Sequence, residues 1–210
     1  MIKEQMDKIY GSMHPDEIPW NMKDPPGILR EIVTRGRVKP CKAVELGCGA
    51  GNYVVYLAQN GFDTTGIDIS ETAVGMARKL ASEKGLDCNF ITADIRGDMT
   101  ELADTFDFAY DWEVMHHIFP EDRQAYISNV YTLLKPEGVY LSVCFSEESP
   151  QFGGKGKYRT TPLETVLYFS SEAEMEKLFK PLFEIQVLNT VDVQGKFGIH
   201  KAIYALLKKY

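Results

Sequence analysis

The sequence predicts an α/β fold: a doubly wound, mainly parallel seven-stranded sheet that finishes in an antiparallel C-terminal hairpin. Three observations carry this expectation. Short apolar, β-prone runs alternate with stretches of helical periodicity, the pattern of parallel strands joined by helical crossovers. The first such run ends in Val44-Glu45-Leu46 and passes into Gly47-Cys48-Gly49-Ala50-Gly51, which reads as a strand feeding a ligand-binding loop. The last two runs follow one another with no helix between them, so they form a hairpin at one edge of the sheet.

Taken in order, residues 1–25 are rich in Pro, Met, Asp and Lys and show little periodicity, which predicts an irregular or partly helical arm. Pro25-Pro26 starts a helix whose Ile28, Leu29, Ile32 and Val33 form one apolar stripe ending at Gly36. After the first strand, Tyr53–Gln59 makes a short helix closed by Asn60-Gly61. A second strand lies at 62–67, and Ser70 is a good N-cap for a helix running from Glu71 to about Lys84. Strands follow at 87–92 and 106–110. Pro120 opens a helix carrying Tyr126, Val130, Leu133 and Leu134, and Pro136-Glu137-Gly138 turns into the β-prone run Val139–Phe145. Residues 146–165 hold Pro, paired Gly, Lys and Thr and read as one long connection, the kind that is usually functional or mobile. A helix at 171–179 and strands at 183–191 and 198–207 complete the chain.

Composition narrows the class. The 210 residues, 44% apolar and 25% charged, suit one globular domain with a full core. A net charge of −7 repels a phosphate backbone, so nucleic acid is not the expected partner. Cys41, Cys48, Cys88 and Cys144 show neither C-x-x-C pairing nor a disulfide framework, which points to free thiols and a cytoplasmic location. The N-terminus lacks an apolar signal core, and no apolar run approaches the roughly 20 residues that span a bilayer, so no membrane association is expected.

The glycines define the ligand. Without a Cβ atom the backbone can take positive φ and touch a ligand, while the following helix aims its free N–H groups at the same place. Dinucleotide fingerprints use G-x-G-x-x-G, but three residues after Gly49 stands Asn52, and the spacing here is G-x-G-x-G. A nucleotide-dependent oxidoreductase on a related sheet is therefore the alternative enzyme class.

With Glu45 before it, this pattern resembles the first motif of the class I S-adenosylmethionine-dependent methyltransferases. Gly66-Ile67-Asp68-Ile69-Ser70 is similar to their second motif, Ala93-Asp94-Ile95 to the adenine-contacting motif, Phe106–Ile118 to the fourth-strand motif and Leu134–Gly138 to the turn before strand five. The resemblance spans roughly residues 40 to 145 and implies a Rossmann-like methyltransferase domain over 37–210. S-adenosylmethionine is then the cofactor. Gly47, Cys48, Gly49 and Gly51 would line its amino-acid part, Asp68 with Ile69 its ribose, and Asp94 with Ile95 its adenine. One carboxylate suits two vicinal hydroxyls, since it offers acceptors to both. Glu45 either holds the loop or methionine amino group or braces a helix dipole, and Asp111 counts with the cofactor residues. Ile18-Pro19-Trp20-Asn21 followed by Pro25-Pro26-Gly27 resembles the arm of the thiopurine and tellurite-resistance branches, which implies a lid over residues 1–36 with Trp20 closing on the cofactor. A cofactor-binding protein that has lost catalysis is a second alternative.

Methyl transfer to a small-molecule acceptor is an in-line displacement driven largely by positioning in a water-poor pocket. Thiolates arrive nucleophilic, whereas amines and phenols need a proton removed. His116 is the expected base or orienting group, with a structural hydrogen-bonding role the other reading. Trp112 suggests an aromatic wall on the acceptor side, shared with His117. Tyr158 sits within the basic run Lys155, Lys157 and Arg159, which either greets an anionic substrate or is a solvated loop. His14, His116, His117 and His200 are not at ligand spacings, so no metal is expected.

Overall fold

A computed structural model describes residues 2–210. Seven strands form one sheet in the order β3-β2-β1-β4-β5-β9-β8. These are β1 (Lys42–Leu46), β2 (Asp63–Asp68), β3 (Asn89–Thr92), β4 (Phe106–Trp112), β5 (Leu134–Phe145), β8 (Phe183–Gly195) and β9 (Gly198–Lys209). Pairings among β1 to β5 are parallel, and those of β5 with β9 and β8 with β9 are antiparallel. The expected sheet and terminal hairpin are thus both present. Strand order reverses between β1 and β4, the place where open α/β sheets collect ligands.

Period-two alternation fills two apolar layers. Val44, Ala109 and Tyr140 face Tyr126, Val130, Met175 and Phe179 of helices α5 (Arg123–Leu133) and α6 (Glu172–Phe179). Their neighbours Ala43, Phe108, Tyr110 and Leu141 face Leu29 and Ile32 of α2 (Gly27–Thr34) and Tyr53 and Leu57 of α3 (Asn52–Gln59). Helix α4 (Glu71–Glu83) packs Val74 and Ala77 against Val54, Phe90 and Cys48, and Ser70 caps it by accepting from Ala73 N.

Three elements differ from expectation. The arm contains a true helix, α1 (Ile2–Ser12), which buries Met6, Ile9 and Tyr10. Leu134 belongs to β5 and not to α5, and pairs with Phe106 before the register shifts across Pro136. A proline disfavours helical geometry in the residue before it, so the helix ends ahead of Lys135. Within 146–165 the chain forms β6 (Tyr158–Thr160), which pairs with β7 (Val166–Tyr168). Arg159 organises that segment: its buried guanidinium donates to the carbonyls of Glu147 (2.9 Å), Ser149 (2.5 Å), Gln151 (3.0 Å) and Gly156 (3.0 Å) and lies 3.8 Å from the Phe169 ring centre.

Gly66, in the middle of β2, leaves room for the loop at the end of β1. A Cβ there would meet Cys48 Sγ at 2.8 Å and Phe90 Cδ1 at 2.9 Å. Gly66→Ala is expected to destabilise the fold by about 1–3 kcal/mol through overpacking, read as a lower urea midpoint.

Candidate active site

Beyond the C-terminal ends of β1, β2 and β4 lies a cavity of about 1310 Å³. Its floor is the glycine loop. Gly47 N and Cys48 N donate to Ile67 O at 2.7 and 3.0 Å, which folds the end of β1 over β2. Gly47 and Gly49 take φ of +73° and +51°. A Cβ at Gly47 would run into Val114, and one at Gly49 into the Tyr10 hydroxyl. Backbone alone fits there.

Asp68 holds this loop in place. Its Oδ2 accepts from Gly49 N at 2.8 Å and its Oδ1 from Ser70 N at 2.9 Å. Asp68 lines the cavity, and a carboxylate has acceptor capacity beyond these two bonds. Burial raises its proton affinity while the backbone amides of Ser70, Gly49 and Ile69 oppose that shift. Glu45, 3% exposed, accepts from the Tyr110 hydroxyl at 3.1 Å, and burial pushes its carboxyl well above the usual carboxylate range. Ile69, Asp94 and Ile95 also line the cavity. Asp94 is gripped by Arg96 Nε and a terminal nitrogen at 3.0 and 2.7 Å, and these bonds keep its carboxyl in the ionised form.

Helix α1 covers the loop. Asp7 Oδ1 accepts from Ser70 Oγ at 2.6 Å and Thr72 N at 3.3 Å, fastening α1 to the start of α4. Trp20 donates through Nε1 to the Tyr10 hydroxyl at 2.8 Å and presents an edge to His117 at 6.4 Å between ring centres. Asn52 donates to Asn21 Oδ1 at 2.6 Å. Neither Asp7 nor Tyr10 stands out in the sequence, because residues 1–17 lack both motif and strong periodicity.

Trp112, Glu113, Val114 and His117 form the opposite wall. Glu113 has φ of +61°, a left-handed conformation that strains a non-glycine residue. Its Oε1 lies 2.7 Å from Nε2 of the buried His200, an approach too oblique for a linear hydrogen bond. Sequence reasoning missed this pair, since 87 residues separate its members. Burial pushes the His117 imidazole down to about 4, which leaves it neutral, with Nδ1 unpartnered.

Four expected site residues stand elsewhere. His116 is buried against His117 and Phe145, at 4.8 and 4.6 Å between ring centres, and does not line the cavity. Gly51 faces Ala77 and Phe90 at the start of α3. Tyr158 is 56% exposed and stacks edge-on with Phe119, one ring removed from the cavity. Asp111 points away from it, into the layer under α5, where it accepts from Tyr126 (3.1 Å), Ser142 (3.3 Å) and Tyr140. The basic run greets no ligand either: Lys157 pairs with Glu147 and Glu174, and Arg159 serves the loop backbone. Arg123, buried behind the wall, donates to Ile118 O at 2.9 Å and Met115 O at 3.4 Å and so fixes the turn bearing the two histidines. Among the described residues no group of three or more His, Cys, Asp or Glu is placed to hold a metal, and no helix is long and apolar enough to cross a membrane.

The arrangement offers backbone donors, a two-acceptor carboxylate and aromatic side chains around one cavity, features that fit a nucleoside. Comparison with known proteins agrees. Residues 43–138 match the family described as methyltransferase domain. The 2-heptyl-1-hydroxyquinolin-4(1H)-one methyltransferase of Mycobacteroides abscessus is 24% identical over 70% of this chain and 66% of its own length. Thiocyanate methyltransferase 1 of Arabidopsis thaliana is 29% identical over 71% and 66% respectively, so the chain spans just under two thirds of both relatives. The crystal structure of an S-adenosylmethionine-dependent methyltransferase from Anabaena variabilis superposes with a TM-score of 0.79 at 17% identity, covering 100% of this chain and 93% of that one.

Asp111 makes stability depend on pH. Burial pushes its carboxyl up to about 6, so above the ordinary carboxylate value and below pH 6 the folded chain keeps a proton that the unfolded chain releases. Stability contributed here falls as pH rises through that window, by about 3 kcal/mol in all. Asp111→Asn is expected to gain on the wild type by up to about that amount between pH 4 and pH 7 in urea titrations.

Proposed function

We propose that this chain, which carries the domain of the class I S-adenosylmethionine-dependent methyltransferases, transfers a methyl group from S-adenosylmethionine to a small-molecule acceptor. Asp68 carries the reading: two buried oxygens, each already ordered by one backbone amide, match two vicinal ribose hydroxyls. Gly47, Cys48 and Gly49 lie against the amino-acid part, with Glu45 bracing the loop from below through Tyr110. Ile69 and Ile95 enclose the adenosyl group, and Asp94, held by Arg96, serves the adenine edge. When bound, the cofactor supplies an electrophilic methyl carbon on a sulfonium. The chain's part is to position and to exclude water.

Helix α1 and Trp20 act as the lid. An aromatic face beside the cation contributes about 0.5–2 kcal/mol, depending on desolvation. Trp112 and His117 receive the acceptor. The named substrates of the two relatives, a hydroxyquinolone and thiocyanate, support a small acceptor in that place. Cytoplasmic location is supported by four free cysteines.

Isothermal titration with S-adenosylhomocysteine and, separately, NAD tests the cofactor assignment. Binding of the former alone is expected, and binding of NAD alone would reject it. Asp68→Ala is expected to weaken S-adenosylhomocysteine binding by about 1–3 kcal/mol, the penalty for leaving hydroxyls unpaired; unchanged affinity removes the ribose assignment.

A further inference from the structure

We propose that Glu113 takes the acceptor's proton during transfer and that the same carboxylate restricts the acceptor to neutral or cationic protic molecules. This rests on the methyltransferase reading above.

Position comes first. Glu113 follows the last residue of β4, and the next side chain, Val114, covers Gly47, so Glu113 sits where the glycine loop meets the acceptor wall. Its left-handed backbone is a conformation that functional sites retain and ordinary turns fill with glycine. Both side chains of the pair are withdrawn from solvent, Glu113 at 16% and His200 at 5% exposure, and Phe145 packs on the His200 ring at 4.7 Å. Glu113 also acts electrostatically on Tyr53 and Cys144, which with His200 are the titratable neighbours that face it from α3, β5 and β9. His116, the base expected from sequence, has no access to the cavity.

Charge gives the selectivity. Asp68 and Glu113 border the cavity, and the Arg96 guanidinium on its wall is taken by Asp94 and Asp122, both at 2.7 Å. The lysines that reach the cavity, Lys3 and Lys8, belong to the lid helix. An anionic acceptor would enter next to the Glu113 carboxylate, whereas a thiol, phenol or amine gives that carboxylate a proton to accept. In the balanced step, a lone pair on the acceptor atom forms the bond to the methyl carbon and the carbon–sulfur pair stays on sulfur. The acceptor's proton passes to Glu113, which returns it to water after product leaves. His200 is the positioning residue for that carboxylate.

The test compares wild type with Glu113→Gln, Glu113→Asp and His200→Gln, using an alkyl thiol, a phenol and thiocyanate. S-adenosylhomocysteine affinity should stay within about twofold in all four. Glu113→Gln should lower kcat on protic acceptors by about 100-fold with little change in KM, and Glu113→Asp should recover part of it. His200→Gln should reduce kcat and spare KM. Calorimetry on the S-adenosylhomocysteine complex should detect the thiol or phenol but not thiocyanate in the wild type, with thiocyanate affinity rising at least about tenfold in Glu113→Gln. Full activity of Glu113→Gln on protic acceptors, or wild-type preference for thiocyanate, overturns the proposal. Failure of the wild type to bind S-adenosylhomocysteine overturns the methyltransferase reading instead.

Discussion

One carboxylate joins the parts on which the cavity is built. Asp68, at the tip of β2, reaches sideways to the amide of Gly49 in the loop after β1 and forward to the amide of Ser70, the cap of α4. Without it, a glycine-rich loop with three positive-φ glycines would have less to select one conformation. Its burial makes the ionised form less favourable, and its backbone amide donors offset only part of that. Because Ser70 also donates to Asp7, the same junction carries helix α1. Loop, crossover helix and α1 therefore share an anchor.

Helix α1 and the segment that follows it are held by small, polar connections laid over an apolar base. Met6, Ile9, Tyr10 and Ile18 pack with Ala50 and Ala73, while the Asp7, Trp20 and Asn21 contacts set the orientation. Tyr10 is the pivotal side chain, because its hydroxyl both accepts from Trp20 and occupies the space over Gly49 that any Cβ would need.

Much of this was legible in the chain. The strands announce themselves by β-prone runs, and the loop by glycine spacing, because those are local consequences of backbone sterics. The ligand face of β4 was not. Asp111 and Glu113 are both acids near a strand end, yet Asp111 shares the face of Ala109 and is driven into the layer of Tyr126 and Tyr140, while the left-handed turn at Glu113 sends its side chain elsewhere. Periodicity assigns the first only once the buried layers are known, and no residue preference signals a glutamate with positive φ. His200 comes to that glutamate through the pairing of β9 with β5, a long-range register invisible in spacing. Leu134 was placed in the preceding helix because it continues an apolar stripe, although Pro136 already limits how far that helix can run.

Arg123 touches nothing in the cavity, yet it reads the carbonyls at both ends of the turn that carries His116 and His117, approaches Met175 Sδ at 3.8 Å and lies over the Tyr168 ring. The two halves of the pocket therefore hang from different hooks, one from Asp68 and the other from a guanidinium set among α6 and the β6–β7 ribbon. A substitution in that outlying ribbon therefore acts on the histidine-bearing wall through a side chain that never enters the cavity.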